Sequence, residues 1–423
     1  MRTRRPYERS PFTWLMYLAL GYFAYYQAAL GTLMPFLRED LALSYTAGSL
    51  HFVSFSAGVV LAGATGDRVV ARFGRRLVFW GSALLGSGGL LLLTGGDSLT
   101  ITLLGCLVMG LAGAQLVMVI QAGLAEWYRE LRAVAMTESN VAASACAILS
   151  PLCIGGAEGL GLGWRVGLLL AVVALAMLLL FGRRVTIPEP ARDVEPRITV
   201  EKLSKALPLA FWAYGGVLFL GVAAEWCIVY WGATYLERVV GLQAVTAASA
   251  MSVFFLAMLV SRVAMSGLAR YLPSTSLLAG AFALAMIAFP LFWLGGGAIL
   301  SLTGLFLCGL GIANIYPLAV ANATEAAHGQ TDTAVARIAL IGGGGTLVVP
   351  FLVGALADQL GLFTAYAIPA ALLLLGLVGT ILANRRARQA APRPKQGAAS
   401  ASDPRGLLLD SSIHSLPDRK DDR

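Results

Sequence analysis

Charge is scarce in this sequence: 13% of its 423 residues are Asp, Glu, Lys or Arg, against 58% that are hydrophobic. A soluble chain carries about a quarter charged residues to cover its surface, so water cannot be the main solvent here and lipid must be. Histidine falls to 3 and cysteine to 5. Cys106, Cys146, Cys153, Cys227 and Cys308 all lie inside apolar runs without metal-ligand spacing, and read as small buried hydrophobes. No His, Cys or Ser stands beside a base in a catalytic pattern, so an enzyme is not expected, nor a metal or cofactor. The Gly-x4-Gly-Lys-Ser/Thr loop is missing too, which argues against an ATP-driven pump. No removable signal peptide is read: Arg2, Arg4, Arg5 and Arg9 precede an apolar run far longer than a signal core.

Long apolar runs are what the sequence does have. About 20 mostly apolar residues cross the hydrocarbon, and such runs occur near 12–37, 46–66, 77–96, 99–126, 133–157, 164–181, 209–236, 245–266, 275–295, 298–323, 333–356 and 362–383. The 48 glycines suit close packing of spans through small residues. The implied fold class is all-α, with twelve membrane-spanning helices. The parts are an N-terminal tail (1–11), a six-helix half (12–182), a linker (183–207), a second half (208–384) and a tail read as disordered (385–423).

The net charge of +8 does not indicate nucleic acid, because the cations sit in short loops and tails. One set of loops holds Arg68, Arg72, Arg75, Arg76, Arg129 and Arg132, and the linker adds Arg183, Arg184, Arg192, Arg197, Lys202 and Lys205. The opposite set holds little beyond Arg38, Arg165 and Arg238. The positive-inside rule then puts both termini and the linker in the cytoplasm, in a multi-pass protein of the cytoplasmic (inner) membrane.

The halves repeat each other. Gly110–Leu116 matches Gly309–Ile315 at an offset of 199 residues, as do Pro151 and Gly155 with Pro350 and Gly354, and Phe36–Asp40 with Tyr235–Val239. Two halves of like orientation imply a pseudo-two-fold axis along the membrane normal, a solute site between them and alternating access.

The segment Gly63–Arg76, GATGDRVVARFGRR, resembles the signature loop of the major facilitator superfamily through Asp67, Arg68, Gly74, Arg75 and Arg76, with a spacer about four residues longer. Together with the repeat and the linker, the resemblance covers residues 12–383. Ala224–Glu237 and Gly309–Ala319 look more narrowly like its fucose-permease-like branch. The resemblance implies the major facilitator fold and secondary transport of a small solute. It further implies that Asp67, Arg75 and Arg76, with Glu126, form a charge cluster that latches one conformation. Proton-coupled efflux is the alternative within transporters. A non-transporting sensor or scaffold on the same fold is the alternative from another class.

A charge inside a span defaults to a functional hypothesis. Glu225 lies in the middle of the seventh span beside Trp226, and its repeat mate is Tyr26 in the first; it reads as a proton carrier or as a structural acid. Glu138 and Arg337 are mates in spans five and eleven, read as an inter-half gate, an anion contact, or snorkelling residues. Arg262 in the eighth span reads as a snorkelling cation. The mates Gln115 and Asn314, with Asn140 and Tyr316, read as hydrogen-bonding groups for solute or as interhelical glue. Tyr25 and Tyr26 line a cavity or pack. The expected partners are a small-molecule substrate, protons and the lipid bilayer, with the chain a monomer.

Overall fold

In a bilayer every backbone amide must find its partner within the protein, which leaves helices as the natural solution for spans of this length. The computed structural model describes residues 8–189, 207–327 and 330–390, and among them it contains helices and no strand. The N-terminal half is α1 (Pro11–Thr32) continued by α2 (Met34–Asp40), then α3 (Tyr45–Phe73), α4 (Arg75–Gly95), α5 (Leu99–Tyr128), α6 (Arg132–Gly159) and α7 (Trp164–Gly182). The second half is α8 (Leu209–Arg238), α9 (Ala244–Leu268), α10 (Ser274–Leu294), α11 (Ala298–Ile312) with α12 (Ile315–Ala326), α13 (Thr331–Leu360), the short α14 (Leu362–Ala365) and α15 (Ala367–Ala390). Most of the linker and the tail beyond Ala390 lie outside the described residues.

Ten stretches among the described residues are long and apolar enough to cross a membrane, and one of them, Leu99–Gly159, is the α5–α6 pair. The first span completes twelve; Tyr22, Tyr25, Tyr26 and Gln27 make it less apolar than the rest. It begins where Ser10 Oγ accepts from the Thr13 amide and Pro11 opens the helix. It breaks before α2 because Pro35 has no amide to offer the Gly31 carbonyl.

Three elements depart from the sequence expectation. The second span runs on to Phe73 and absorbs most of the signature loop, so Asp67 sits on a helix. The tenth span is interrupted at Ala313–Asn314, since Pro317 cannot bond the Ala313 carbonyl. The last helix continues to Ala390 and carries Arg385, Arg386 and Arg388, which had been assigned to a disordered tail.

The repeat is physical as well as textual. Gly110 packs on the Phe55 carbonyl, joining α5 to α3, and Gly309, 199 residues later, packs on the Phe254 carbonyl, joining α11 to α9. Phe55 and Phe254 are separated by the same 199 residues. Between the halves the symmetry becomes reciprocal. Gly155 of α6 lies against Val245 and Ser249 of α9, while Gly354 of α13 lies against Tyr45 and Ser49 of α3. A third contact joins α1 to α8, where Gly31 meets the Val229 carbonyl so closely that a Cβ would come within 1.9 Å of it. All three contacts lie toward the face opposite the chain termini, here called the far face.

A side chain at either reciprocal glycine should pry that face open. A Cβ at Gly155 would stand 2.1 Å from Ser249 Oγ and 2.8 Å from the Val245 carbonyl; one at Gly354 would stand 2.7 Å from Ser49 Cβ. Gly155→Val and Gly354→Val are each expected to cost about 1–3 kcal/mol of the far-closed state and to raise thiol-reagent access to a cysteine at position 49. Gly156→Val, with nothing within 4 Å of its Cβ, is expected to do neither.

Candidate functional site

Below the far-side contacts a cavity of about 280 Å³ opens between the halves. Its wall is built by helical periodicity. α1 contributes Leu20, Phe23, Ala24, Gln27 and Ala28; α6 contributes Asn140, Ala143, Ser144 and Ala147. From α9 come Phe255, Met258 and Arg262, from α5 Val117 and Gln121, and from α8 Glu225, Trp226 and Val229. Each set recurs every three or four residues, so one stripe of each helix faces the cavity.

Two opposite charges share this wall. Glu225 lies near the midpoint of α8, and Arg262 lies six residues from the end of α9, about 9 Å along its axis at 1.5 Å per residue. Arg262 is the charge within electrostatic reach of Glu225. They are not joined: the ion pairs among the described residues are Arg9–Glu138, Arg75–Glu126, Arg165–Asp40 and Arg238–Glu237. Arg262 instead donates from Nη1 to Ser144 Oγ at 3.1 Å, across the halves, and the Ser144 hydroxyl donates to the Asn140 carbonyl at 2.8 Å. Asn140 donates to the Met136 carbonyl at 2.8 Å, keeping its amide oxygen available.

Of the other residues singled out from the sequence, Trp226 shares the cavity wall and the rest lie elsewhere. Tyr26 is fully buried between Tyr22 and Phe23, with its hydroxyl donating to the Met109 carbonyl at 3.3 Å. Tyr25 donates to the Gly167 carbonyl and faces an apolar cleft between α1, α6 and α7. Gln115 is buried against α3, its Oε1 without a hydrogen-bond partner. Asn314 stands at the α11–α12 break and donates to Ser261 Oγ at 2.9 Å, which in turn bonds the Leu310 carbonyl at 2.6 Å. Tyr316 is exposed at the start of α12, within electrostatic reach of Glu225. Trp226 lines the cavity and packs on Tyr230, with ring centroids 4.9 Å apart. Glu138 is held by Arg9 at 2.7 Å and by the Tyr17 hydroxyl at 3.1 Å, while the Arg337 guanidinium lies 5.5 Å from the Trp212 ring.

The expected charge cluster forms in part. Arg75 makes a two-pronged pair with Glu126, both bonds 2.9 Å, and also donates to the Pro188 carbonyl. Glu189 accepts from the Arg75 and Arg76 amides at 2.7 and 3.2 Å. Asp67 is exposed and makes no side-chain bond among the described residues. At the far end Asp358 of α13 accepts from the Tyr45 and Thr46 amides, each at 2.8 Å, and so caps the first turn of α3.

Arg262 was legible as a charge within a span, but its face was not recognised. The spacing of Phe255, Met258 and Arg262 at i, i+3 and i+7 is the signal that places it. Cavity and core residues should part company on substitution. Gln115→Leu removes an unsatisfied buried oxygen and is expected to leave uptake unchanged with an equal or higher Tm. Gln121→Leu is expected to leave the stability within about 0.5 kcal/mol of wild type and to lower uptake roughly tenfold, a loss of about 1.4 kcal/mol.

The sequence profile of the Major Facilitator Superfamily matches residues 14–331. No curated protein matches the chain. Among solved structures, a bacterial homologue of the human lysosomal transporter Spinster, in an inward-facing and unoccupied conformation, superposes with a TM-score of 0.73 at 14% identity, covering 92% of this chain and 100% of its own. The nucleoside transporter NupG superposes with a TM-score of 0.67 at 14% identity, covering 89% of this chain and 98% of its own. At such identities they bear on the fold alone. Neither addresses the narrower likeness to the fucose-permease-like branch.

Proposed function

This chain belongs to the Major Facilitator Superfamily and is a membrane transporter, and we propose that it is a secondary transporter working by alternating access, with Glu225 as its proton carrier. The observation that carries this reading is an unpaired carboxylate at mid-span on the wall of a cavity between the halves. A group that must gain and lose a proton as access alternates cannot be locked in an ion pair, and intramembrane acids of this kind mark proton routes.

With the termini in the cytoplasm, as the cation distribution argues, this is the inward-facing arrangement. Cysteines at Ser204 and Ser400 test that orientation through protection from an impermeant thiol reagent in intact cells. The two aspartates fit the same reading. Asp358 holds the outer ends of α13 and α3 together, while Asp67, at the inner end of α3, is unengaged. In the outward-facing state their roles exchange, with Asp67 docking on the second half.

Two outcomes follow. Asp358→Asn is expected to move the population outward and Asp67→Asn inward, each by a few kcal/mol at most. Paired accessibility of cysteines on the two faces reads this, and like shifts in both variants would contradict the exchange. Glu225→Gln keeps size and hydrogen bonding but cannot titrate. It is expected to abolish pH-gradient-driven accumulation in proteoliposomes while leaving the melting curve and solute exchange in place. Full accumulation in that variant would remove Glu225 from the proton route.

A further inference from the structure

The proton route leaves one feature of the cavity unexplained: a cation on its wall whose charge has no acid paired to it. Arg262 is permanently charged and carries five N–H donors in a fixed fork, of which the hydrogen bond to Ser144 occupies one. It is exposed toward the cavity in this conformation, where water can serve the rest. In an occluded state that water is displaced, and a guanidinium shut away from water needs an acceptor of opposite charge. Glu225 cannot be that acceptor while it carries a proton. The remaining polar groups on the wall, Gln27, Gln121, Asn140 and Ser144, are neutral.

We propose that the transported solute is a monocarboxylate with an apolar body, its carboxylate on Arg262 and its body among Phe23, Trp226, Phe255 and Met258. Ser144 acts as a positioning residue. Its hydroxyl proton is directed at the Asn140 carbonyl, so that its lone pair faces the guanidinium and fixes the fork toward the cavity. The inference rests on Glu225 as proton carrier and adds the direction of coupling.

The charge count supplies that direction. With Glu225 protonated the wall carries a single positive charge and suits a monoanion. With Glu225 ionised the wall is neutral overall and the carboxylate faces a like charge. The groups within electrostatic reach of Glu225 are Arg262 from α9 and Tyr316 from α12. α1, α5 and α6 present to the cavity only the neutral amides and hydroxyl named above. Anion and proton therefore favour each other's binding, and by reciprocity each raises the affinity for the other. Co-occupancy is the condition for symport, whereas a cationic solute would compete with the proton and give antiport. One proton with one monoanion makes the cycle electroneutral.

The test uses the purified full chain and a series of monocarboxylates from acetate to naphthoate, each beside its neutral amide and matching primary amine. Melting shifts report binding, and a pH dye in weak buffer reports protons. At pH 6 carboxylates of intermediate size should bind at least tenfold more tightly than their amides, and the proton uptake per anion bound should rise toward one as the pH of the assay is raised from 6 to 8. Arg262→Gln should erase the preference for carboxylate over amide, and Arg262→Lys should restore part of it, which separates lost charge from lost folding. Glu225→Gln should bind the carboxylate without proton uptake. Equal affinity for acids and amides, or no binding across the whole acid series, overturns the anion site. A preference for amines with proton release overturns it while upholding Glu225. A carboxylate preference lost in Arg262→Gln, but with no proton taken up in wild type, upholds the anion site and overturns the proton route instead.

Discussion

The close approach of helix backbones at glycine governs this structure. In lipid there is no hydrophobic force to drive helices together, so packing distance and shape must do it. Within each half, Gly110 and Gly309 set equivalent helix pairs by resting on equivalent phenylalanine carbonyls. Between the halves, Gly155 and Gly354 do the same in reciprocal fashion, each on the other half's second helix. The two halves thus meet through close backbone contacts near one face. Aromatic side chains add to the contact, with Phe52 of α3 stacked on Tyr230 of α8 at a ring-centroid distance of 4.1 Å.

The charges named above divide into those that tie helices together and those without an ion-pair partner among the described residues. Arg75 with Glu126, Glu189 at the start of α4, and Arg165 with Asp40 tie helices within the N-terminal half. Asp358 ties the halves at the far face. Glu225, Arg262 and Asp67 are outside the ion pairs among the described residues, and the first two face the cavity between the halves. A charged group without a fixed partner inside a membrane protein is costly, and the proposed cycle supplies Glu225 and Arg262 with partners that come and go.

Much of the fold was legible because the bilayer permits few solutions. Hydropathy located the spans, and the 199-residue offset located the repeat, since both are written in the residues that must be apolar or small. The local breaks were harder. Pro317 was in plain view, yet an apolar run does not distinguish one helix from two separated by a turn. The site was half legible. Glu225 stood out as a charge, but its repeat mate Tyr26 faces the core of its own half. The polar residue of α1 on the cavity wall is Gln27, whose mate is Trp226. The cavity stripe of α8 is thus turned by about one residue, near 100°, relative to that of α1. Sequence offset fixes height along a span; it does not fix rotation about the axis. For the same reason Arg262 read as a snorkelling cation until the stripe through Phe255 and Met258 fixed its face.

The proposal that the two halves rock, parting and remaking the far-face glycine contacts, is tested most directly by two distances measured in one sample series. Spin labels at Leu160 and Ile299 report the far face, and labels at Phe181 and Tyr271 report the terminal face; all four sites are more than three-quarters exposed. On adding a transported solute at low pH, the far-face distribution should gain a longer component while the terminal-face distribution gains a shorter one. Changes of the same sign at both faces, or none at either face under conditions that support uptake, would contradict the rocking.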